Sequence, residues 1–450
     1  MSAMKSPTEL GTKPVGKLLL QYAIPAIIAM TASSLYNMVD SIFIGHGVGA
    51  LAISGLAITF PLMNLSAAFG AMVGVGGGTM ISVKLGQKDH ITAQNILGNI
   101  ITLNLILGVL FGAICLAFMD PILVFFGATP DILPYAHDYM VIIMLGNVIT
   151  HMYLGLNSVL RSAGHPRIAM GATIFTVVIN SILDPIFIWT LGMGIQGAAL
   201  ATILSQALAL GYQIWRFNNP NEVIHIKKGY FKLKRKIVGS VLSIGMSPFL
   251  MNLAACMVST IVNQSLASYG GDLAIGAYGV VNRIVFIFIM VTIGINQGMQ
   301  PIAGYNYGAK QYDRVIKVLK FTIFFASIVT TVSCIVGVFF PKLCAQMFTD
   351  DATMIDIICH SMPIIVVFHW MIGFQIATSN FFQSIGHAWK AIFLSLSRQL
   401  IFLLPPLLIL PQWLGLDGVW WAMAGSDFAA TFTTAILLYL QMKTFKKQMA

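Results

Sequence analysis

The chain has 450 residues, of which 57% are hydrophobic and only 9% are charged, and its mean hydropathy is +0.84. Because about a quarter of the residues in soluble domains are charged, this composition excludes a soluble globular protein. It predicts an all-α polytopic membrane protein. The net charge of +10 does not indicate a nucleic-acid partner, since the basic residues lie mostly between the apolar runs. Five cysteines without CxxC spacing predict neither a disulfide framework nor a metal site.

Twelve apolar runs are long enough to cross a membrane, which takes about 20 residues each. The first run follows a polar N-terminal segment that has no signal-peptide pattern. In chain order, the predicted transmembrane helices cover residues 17–44, 51–82, 93–119, 135–160, 168–190, 195–215, 237–264, 274–303, 315–340, 354–381, 389–410 and 417–441.

The lysines and arginines test this count and give it an orientation. With the N-terminus in the cytoplasm, 22 of the 25 Lys and Arg residues fall on the cytoplasmic side. Such one-sided placement is what the positive-inside rule requires. We therefore expect a multi-pass protein of a prokaryotic inner (plasma) membrane, with both termini cytoplasmic. Its expected partner is the lipid bilayer, and we expect it to be monomeric.

The sequence repeats itself at an offset of about 222 residues. LGQKDHITAQNIL matches YGAKQYDRVIKVL, LRSAGHPRIAM matches FQSIGHAWKAI, and two shorter matches keep the same order. The repeat predicts two pseudo-symmetric six-helix lobes, residues 1–215 and 237–450, joined by a basic cytoplasmic linker, residues 216–236. The charges of this linker are interpreted as a solvated face. Two like-oriented lobes suggest a rocking transporter, and a static scaffold is the alternative.

Three carboxylates lie well inside predicted helices: Asp40, Asp184 and Asp427. Asp40 lies six residues before His46, near the outer end of the first helix, and Asp184 lies six residues before Thr190, near the outer end of the fifth. Each is therefore about 9 Å below that edge. On the next helix Thr202 falls at a similar depth, and Asn180 is one turn from Asp184 on the same face.

These four residues offer the hard oxygen atoms that Na⁺ prefers, or a carboxyl pair that could share a proton. The sequence therefore predicts a cation-coupling site, for H⁺ or Na⁺, at Asp40, Asn180, Asp184 and Thr202, with no other cofactor. The alternative is that each polar group only forms a hydrogen bond to a neighbouring helix.

The second half does not copy this cluster, because Asp40 corresponds to Val262 and Asp184 to Pro405. Asp427 is either a second protonation site or, as we favour, the partner of Arg398 one helix earlier. Arg283 has no obvious partner in the sequence. The remaining intramembrane histidines, His151 and His369, are interpreted as core residues.

Prolines lie at equivalent places early in the first and seventh helices, Pro25 and Pro248, and each can kink its helix. The pattern P–x(11)–NMVDSIFIG from Pro25, the RSAGHPR loop, and INSILDPIFI followed by GIQGAALAT resemble the multidrug and toxic compound extrusion (MATE) family over the whole chain. The predicted cation-coupling set resembles that of the DinF-like members. The NorM-like pattern of acidic residues in helices 7 and 10 is absent.

The resemblance implies antiport, in which cationic or amphipathic organic compounds leave in exchange for H⁺ or Na⁺. It also implies a substrate cavity partly lined by the first, fourth and fifth helices. The candidate residues for this cavity are Pro25, Met30, Asn37, Asn157 and Met170.

Two other functions share features with this sequence. A flippase for lipid-linked saccharides has a related fold, but it would need a cationic cavity for pyrophosphate. Apart from Arg283 and Arg398, the predicted helices carry few such groups. An intramembrane aspartyl protease also needs two aspartates, but its GxGD motif is missing around MVDSI and ILDPI. We therefore expect a transporter and not an enzyme.

Overall fold

A computed structural model describes residues 9–48 and 50–449, without the side chains of residues 35–39, 41, 42, 45, 46, 50, 53 and 272. These residues form helices and no strand. The spanning helices are α1 (Val15–Gly47), α2 (Ala50–Gly86), α3 (His90–Ala117), α4 (Leu133–Leu145 and Asn147–Ser162), α5 (Pro166–Pro185, extended by a π-helix at Ile186–Thr190), α6 (Gly194–Phe217), α7 (Arg235–Gly271), α8 (Leu273–Gly308), α9 (Tyr312–Phe339), α10 (Ala352–Val366 and His369–Ser384), α11 (Ala388–Leu396, a π-helix at Ser397–Leu403, and Leu404–Leu414) and α12 (Leu416–Met449).

Ten helices are long and apolar enough to span a membrane, and the number is up to 12 if each of two bent pairs is one span. The bent pairs are α4, with 57° between its halves, and α10, with 49°. With each bent pair counted once, the predicted twelve spans are confirmed. The bends are not visible in the apolar pattern, which predicts continuous helices at both places.

The backbone reproduces the sequence repeat in detail. Lys88 and Lys310 occupy matching positions before α3 and α9, and both have positive φ angles, 60° and 59°. Gly164 and Gly386, before α5 and α11, also have positive φ angles, 101° and 79°. Since non-glycine residues seldom adopt positive φ, the shared turn at the two lysines shows that the repeat extends to local conformation. The π-helices break this correspondence, because they fall at different places in α5 and α11.

The chain divides into two compact units. Among the described residues, unit 1 contains residues 9–12, 28–48 and 50–249, and unit 2 contains residues 13–27 and 250–449. The lobes predicted from the repeat differ from these units in two segments, because the beginning of α1 belongs to unit 2 and the beginning of α7 belongs to unit 1. Pro25 and Pro248 lie within two residues of the points where α1 and α7 pass between units.

Glycines allow these two helix beginnings to pack closely. In unit 1, a Cβ added at Gly245 of α7 would collide with the main-chain carbonyl of Met72 in α2. In unit 2, a Cβ added at Gly298 of α8 would lie 2.6 Å from the main-chain nitrogen of Ala23 in α1. Ala23 and Gly245 are separated by the repeat offset, so both units use the same backbone-to-backbone packing, which small residues permit.

The loop between α6 and α7, residues 218–234, is called the strap here because it is fastened along α3. Gln94 of α3 exchanges two hydrogen bonds with the backbone of His225, one of them 3.1 Å long. Asn99 donates to the carbonyl of Lys232 (3.2 Å) and accepts from the amide of Lys234 (2.8 Å). The lysine side chains are exposed, as the sequence suggested, but the backbone that carries them is docked.

At its first turn, the strap is held by Glu222, whose carboxylate lies 3.2 Å from Nε2 of His165 and 3.4 Å from the guanidinium of Arg216. Burial lowers the pKa of His165 below its usual 6.5, and Arg216 acts in the same direction while Glu222 opposes it. Folded protein thus binds fewer protons here than unfolded protein, so the stability that neutral His165 contributes is lost as pH falls below about 6.5.

We expect the thermal unfolding midpoint of the wild-type protein to decrease as the pH is lowered from 7 to 5.5. Up to about 1 kcal/mol of the accompanying loss in the free energy of unfolding is traceable to His165. The variant His165→Gln should show a smaller drop over the same range. His90→Gln, at an exposed histidine, is the control and should behave as wild type. An identical pH dependence in wild type and His165→Gln would contradict the prediction.

Candidate functional site

The four predicted cation-coupling residues lie together in unit 1, on α1, α5 and α6. The outer end of α1 packs against the π-helix of α5, where the rings of Phe43 and Trp189 meet edge to face with centroids 5.5 Å apart. α5 and α6 pack closely, since a Cβ at Gly197 would lie 2.8 Å from the carbonyl carbon of Phe187. These contacts bring Asp40 toward Asp184, which immediately precedes Pro185 and the π-helix.

The side chains form one continuous hydrogen-bond network. The carboxyl groups of Asp40 and Asp184 lie within hydrogen-bonding reach of each other. With the Asn180 amide turned so that its nitrogen faces Asp184, Nδ2 donates to Oδ2 of Asp184 at 2.7 Å. Oδ1 of Asn180 then accepts from the backbone nitrogen of Thr202 at 3.1 Å and from its hydroxyl at 3.3 Å. The depth estimate from helical rise therefore predicted a real cluster.

The chemistry of this network favours a small cation. A hydrogen bond between two carboxyl groups requires a proton on one of them, because a carboxylate only accepts. All four side chains are buried, with Asp40 5% exposed and Asp184 fully enclosed. Oδ1 of Asp40 and Oδ1 of Asp184 have no hydrogen-bond partner among the described residues. Two buried, unpartnered carboxyl oxygens beside an amide and a hydroxyl are the donor set that suits Na⁺ when the proton is absent.

The second half carries apolar residues at the corresponding positions. Val262 and Met423 are both buried in one hydrophobic cluster of unit 2, and Pro405 is exposed. The expected asymmetry between the halves is therefore present in the side-chain packing. The carboxyl pair has no counterpart at these positions of unit 2.

The predicted cavity residues have different surroundings. Asn157 donates to the carbonyl of Ala169 at 3.0 Å and accepts from Nη1 of Arg161 at 2.5 Å, so its amide already joins α4 to α5. Pro25 is buried, whereas Met30 and Met170 are partly exposed. The side chain of Asn37 lies outside the described residues. A substrate role for these five residues stays a prediction.

A second buried charged group lies in unit 2. Nε of Arg398 is 3.1 Å from Oδ1 of Asp427, and Nε2 of His369 is 4.0 Å from Oδ2 of the same carboxylate. Arg398 lies in the π-helix of α11, and His369 begins the second half of the bent helix α10. This geometry corresponds to the favoured pairing of Asp427 with Arg398. Arg283 is exposed on α8.

We expect Arg398→Gln to destabilise the protein by about 2 kcal/mol, because it leaves the Asp427 carboxylate buried without a cation. The value lies below that of a fully buried pair because the Arg398 side chain is 35% exposed. The double variant Arg398→Gln/Asp427→Asn should recover most of the loss. Denaturant unfolding in detergent micelles measures the cycle, and additive effects of the two substitutions would contradict the pairing.

The sequence analysis does not predict one further polar network. Ser66 of α2 donates to Asn147, and its oxygen lies 3.3 Å from Nε2 of His151, while Asn147 donates to the carbonyl of Gly108 at 3.0 Å. Asn147 is the first residue after the bend in α4. The signal was available as polar residues within apolar runs, but their partners come from three different helices, so no local spacing connects them.

Up to twelve helices that are long and apolar enough to span a membrane, with ionisable groups buried within each unit, are typical of a multi-pass membrane transporter. The MatE family model matches residues 25–186 and 248–406. The chain belongs to the MatE family, which confirms that it is a transporter and not an enzyme.

Known relatives agree with this assignment over nearly the whole chain. The multidrug export protein MepA of Staphylococcus haemolyticus is 28% identical, over 94% of this chain and 93% of that protein. Among solved structures, a MOP superfamily transporter from Pyrococcus furiosus is 25% identical with a TM-score of 0.92, covering 99% of this chain and 100% of that one. A MATE transporter in the bent conformation is 25% identical with a TM-score of 0.93, covering 99% of both chains.

Proposed function

We propose that this protein is an antiporter that exports cationic or amphipathic organic compounds in exchange for H⁺ or Na⁺, by alternating access. Its proposed location is the plasma membrane, with both termini cytoplasmic, and its proposed state is a monomer. Support for the class of substrate comes from the multidrug export relatives that match over almost their whole length.

The observation that carries the coupling proposal is that the carboxyl groups of Asp40 and Asp184 are buried next to each other, each with an oxygen that has no hydrogen-bond partner among the described residues. One proton satisfies both groups, whereas loss of that proton leaves two buried negative charges that repel each other. The deprotonated pair must then take up H⁺ or Na⁺, or the helices must rearrange. A cation that binds one conformation better than the other shifts the population toward it, and a drug that prefers the second conformation reverses the shift.

Dye efflux tests the proposal and identifies the ion. Inverted vesicles, whose outer face is the cytoplasmic one, receive a cationic dye in the outer solution, and its uptake is driven separately by a pH gradient and by a Na⁺ gradient. We expect at least one gradient to accelerate dye movement relative to vesicles that lack the protein. No acceleration by either gradient would contradict coupling. Acceleration by the pH gradient without acceleration by the Na⁺ gradient would assign the coupling to H⁺.

A further inference from the structure

The strap between α6 and α7 holds a dense group of positive charges on an ordered backbone. Four exposed lysines lie in the strap and two exposed basic residues follow at the start of α7: Lys227, Lys228, Lys232, Lys234, Arg235 and Lys236. The sequence contains no Asp or Glu between positions 223 and 271, so no acidic residue lies within this segment. The preceding acid, Glu222, is already engaged by Arg216 and His165.

The order of this backbone comes from α3. Besides the bonds from Gln94 and Asn99, the hydroxyl of Thr102 donates to the carbonyl of Phe231 at 2.8 Å. Gly98 has no side chain where the carbonyl of Tyr230 approaches, and any Cβ there would collide with it. Ile224 anchors the first part of the strap and is only 3% exposed. The charges are therefore presented by a loop whose conformational entropy was lost on folding, not on binding.

The position of these contacts along α3 sets the level of the strap relative to the bilayer. α3 has 28 residues, about 42 Å of helix, whereas the hydrocarbon core is about 30 Å thick. Counting about 20 residues back from Ala117 puts the inner edge of the hydrocarbon near Gly98. After Ile91 in its first turn, the exposed large apolar residues of α3 resume at Leu105, 49% exposed, one turn beyond Thr102, and continue to Ile114. Residues 230–234, called the tip of the strap here, thus lie at the level of the lipid headgroups.

The side chains at the tip suit that level. Phe231 and Leu233 are 37% and 38% exposed, and they alternate with Lys232 and Lys234. Nζ of Lys227 lies over the ring of Tyr230, 5.8 Å from its centroid. Aromatic and apolar groups next to flexible lysines are typical of the membrane interface, where the rings enter the acyl boundary and the ammonium groups reach the phosphates.

We propose that the strap is a binding site for anionic phospholipid headgroups, which the exposed lysines contact while Phe231 and Leu233 meet the acyl boundary. Each lysine near a membrane surface contributes about a fivefold preference for anionic over zwitterionic lipid. The ordered backbone makes this a site of defined position and not a diffuse charge effect.

Native mass spectrometry of the full-length protein in detergent tests the proposal, with phosphatidylglycerol and phosphatidylcholine of identical acyl chains as competing probes. The strap variant is Lys228→Gln/Lys232→Gln/Lys234→Gln. The matched control is Lys443→Gln/Lys446→Gln/Lys447→Gln, which removes three equally exposed charges from the end of α12. Asn99→Ala keeps every charge but removes two of the bonds that order the strap.

We expect the wild-type protein to retain phosphatidylglycerol at least tenfold more than phosphatidylcholine. The ratio of retained phosphatidylglycerol to phosphatidylcholine should decrease at least tenfold in the strap variant, about threefold in Asn99→Ala, and less than twofold in the α12 control. Thermal unfolding confirms that each variant is folded. Equal losses in the strap variant and the control would reduce the effect to net charge and overturn the proposal. A wild type without preference, or Asn99→Ala with full preference, would also overturn it.

Discussion

Replacing Asp184 with asparagine is expected to reduce dye efflux to the level of vesicles without the protein, and Asp40→Asn should do the same. Asparagine has nearly the size of aspartate and can still accept the hydrogen bond from Asn180, but it never ionises. The pair then cannot alternate between a shared proton and two charges, so cation binding no longer separates the two conformations. We expect the free energy of unfolding to change by about 1 kcal/mol or less, since a buried carboxyl is replaced by a neutral group.

The measurement combines efflux under both ion gradients with thermal unfolding of the same preparations. Asp120→Asn is the matched control, because the side chain of Asp120 is 57% exposed and pairs with His137 away from the cluster. That variant should transport as wild type. Normal efflux in both Asp40→Asn and Asp184→Asn would refute a coupling role for the pair.

Alanine at Gly245 is expected to destabilise the protein by about 3 kcal/mol, and Gly298→Ala should have a similar effect. In both cases the new methyl group meets main-chain atoms of a neighbouring helix, Met72 or Ala23, and not a side chain that could turn away. The helices must separate, which loses packing along their whole contact. This loss exceeds the gain of up to about 1 kcal/mol that alanine brings over glycine within a helix.

Gly239→Ala is the control for this prediction. Gly239 lies in the same helix as Gly245, and a Cβ there has no atom of the described residues within 4 Å. We expect Gly239→Ala to unfold at the same denaturant concentration as wild type or a slightly higher one. If Gly245→Ala and Gly239→Ala shift the midpoint equally, then close helix approach does not hold the beginning of α7 in unit 1.

The proximity of Asp40, Asn180, Asp184 and Thr202 could be predicted because helix geometry fixes depth. Once α1, α5 and α6 are placed across the membrane, a rise of about 1.5 Å per residue puts Asp40, Asp184 and Thr202 at one level. The same reasoning could not give the direction in which each side chain points. That direction depends on the π-helix after Asp184 and on the close contact at Gly197, neither of which has a pattern in the sequence.

Other features escaped prediction for related reasons. The strap is held by three polar side chains of α3 that bind main-chain atoms about 130 residues away, and main-chain partners leave no trace in residue type. The beginnings of α1 and α7 have the same apolar composition as the rest of their helices, so their assignment to units rests on packing alone. The repeat predicts the matching turns at Lys88 and Lys310 but not the unequal π-helices.

The division of α1 has a consequence for how the protein is made. Residues 13–27 emerge from the ribosome before α8, yet they belong to unit 2, where Ala23 packs against Gly298 of α8. That partner is synthesised on the order of 270 residues later, roughly 15 to 55 s at usual translation rates. During this interval the start of the first helix lies in the membrane without its final neighbour. The second half of the chain alone therefore does not make a whole unit 2, and residues 13–27 reach their place against Gly298 only after α8 has been synthesised.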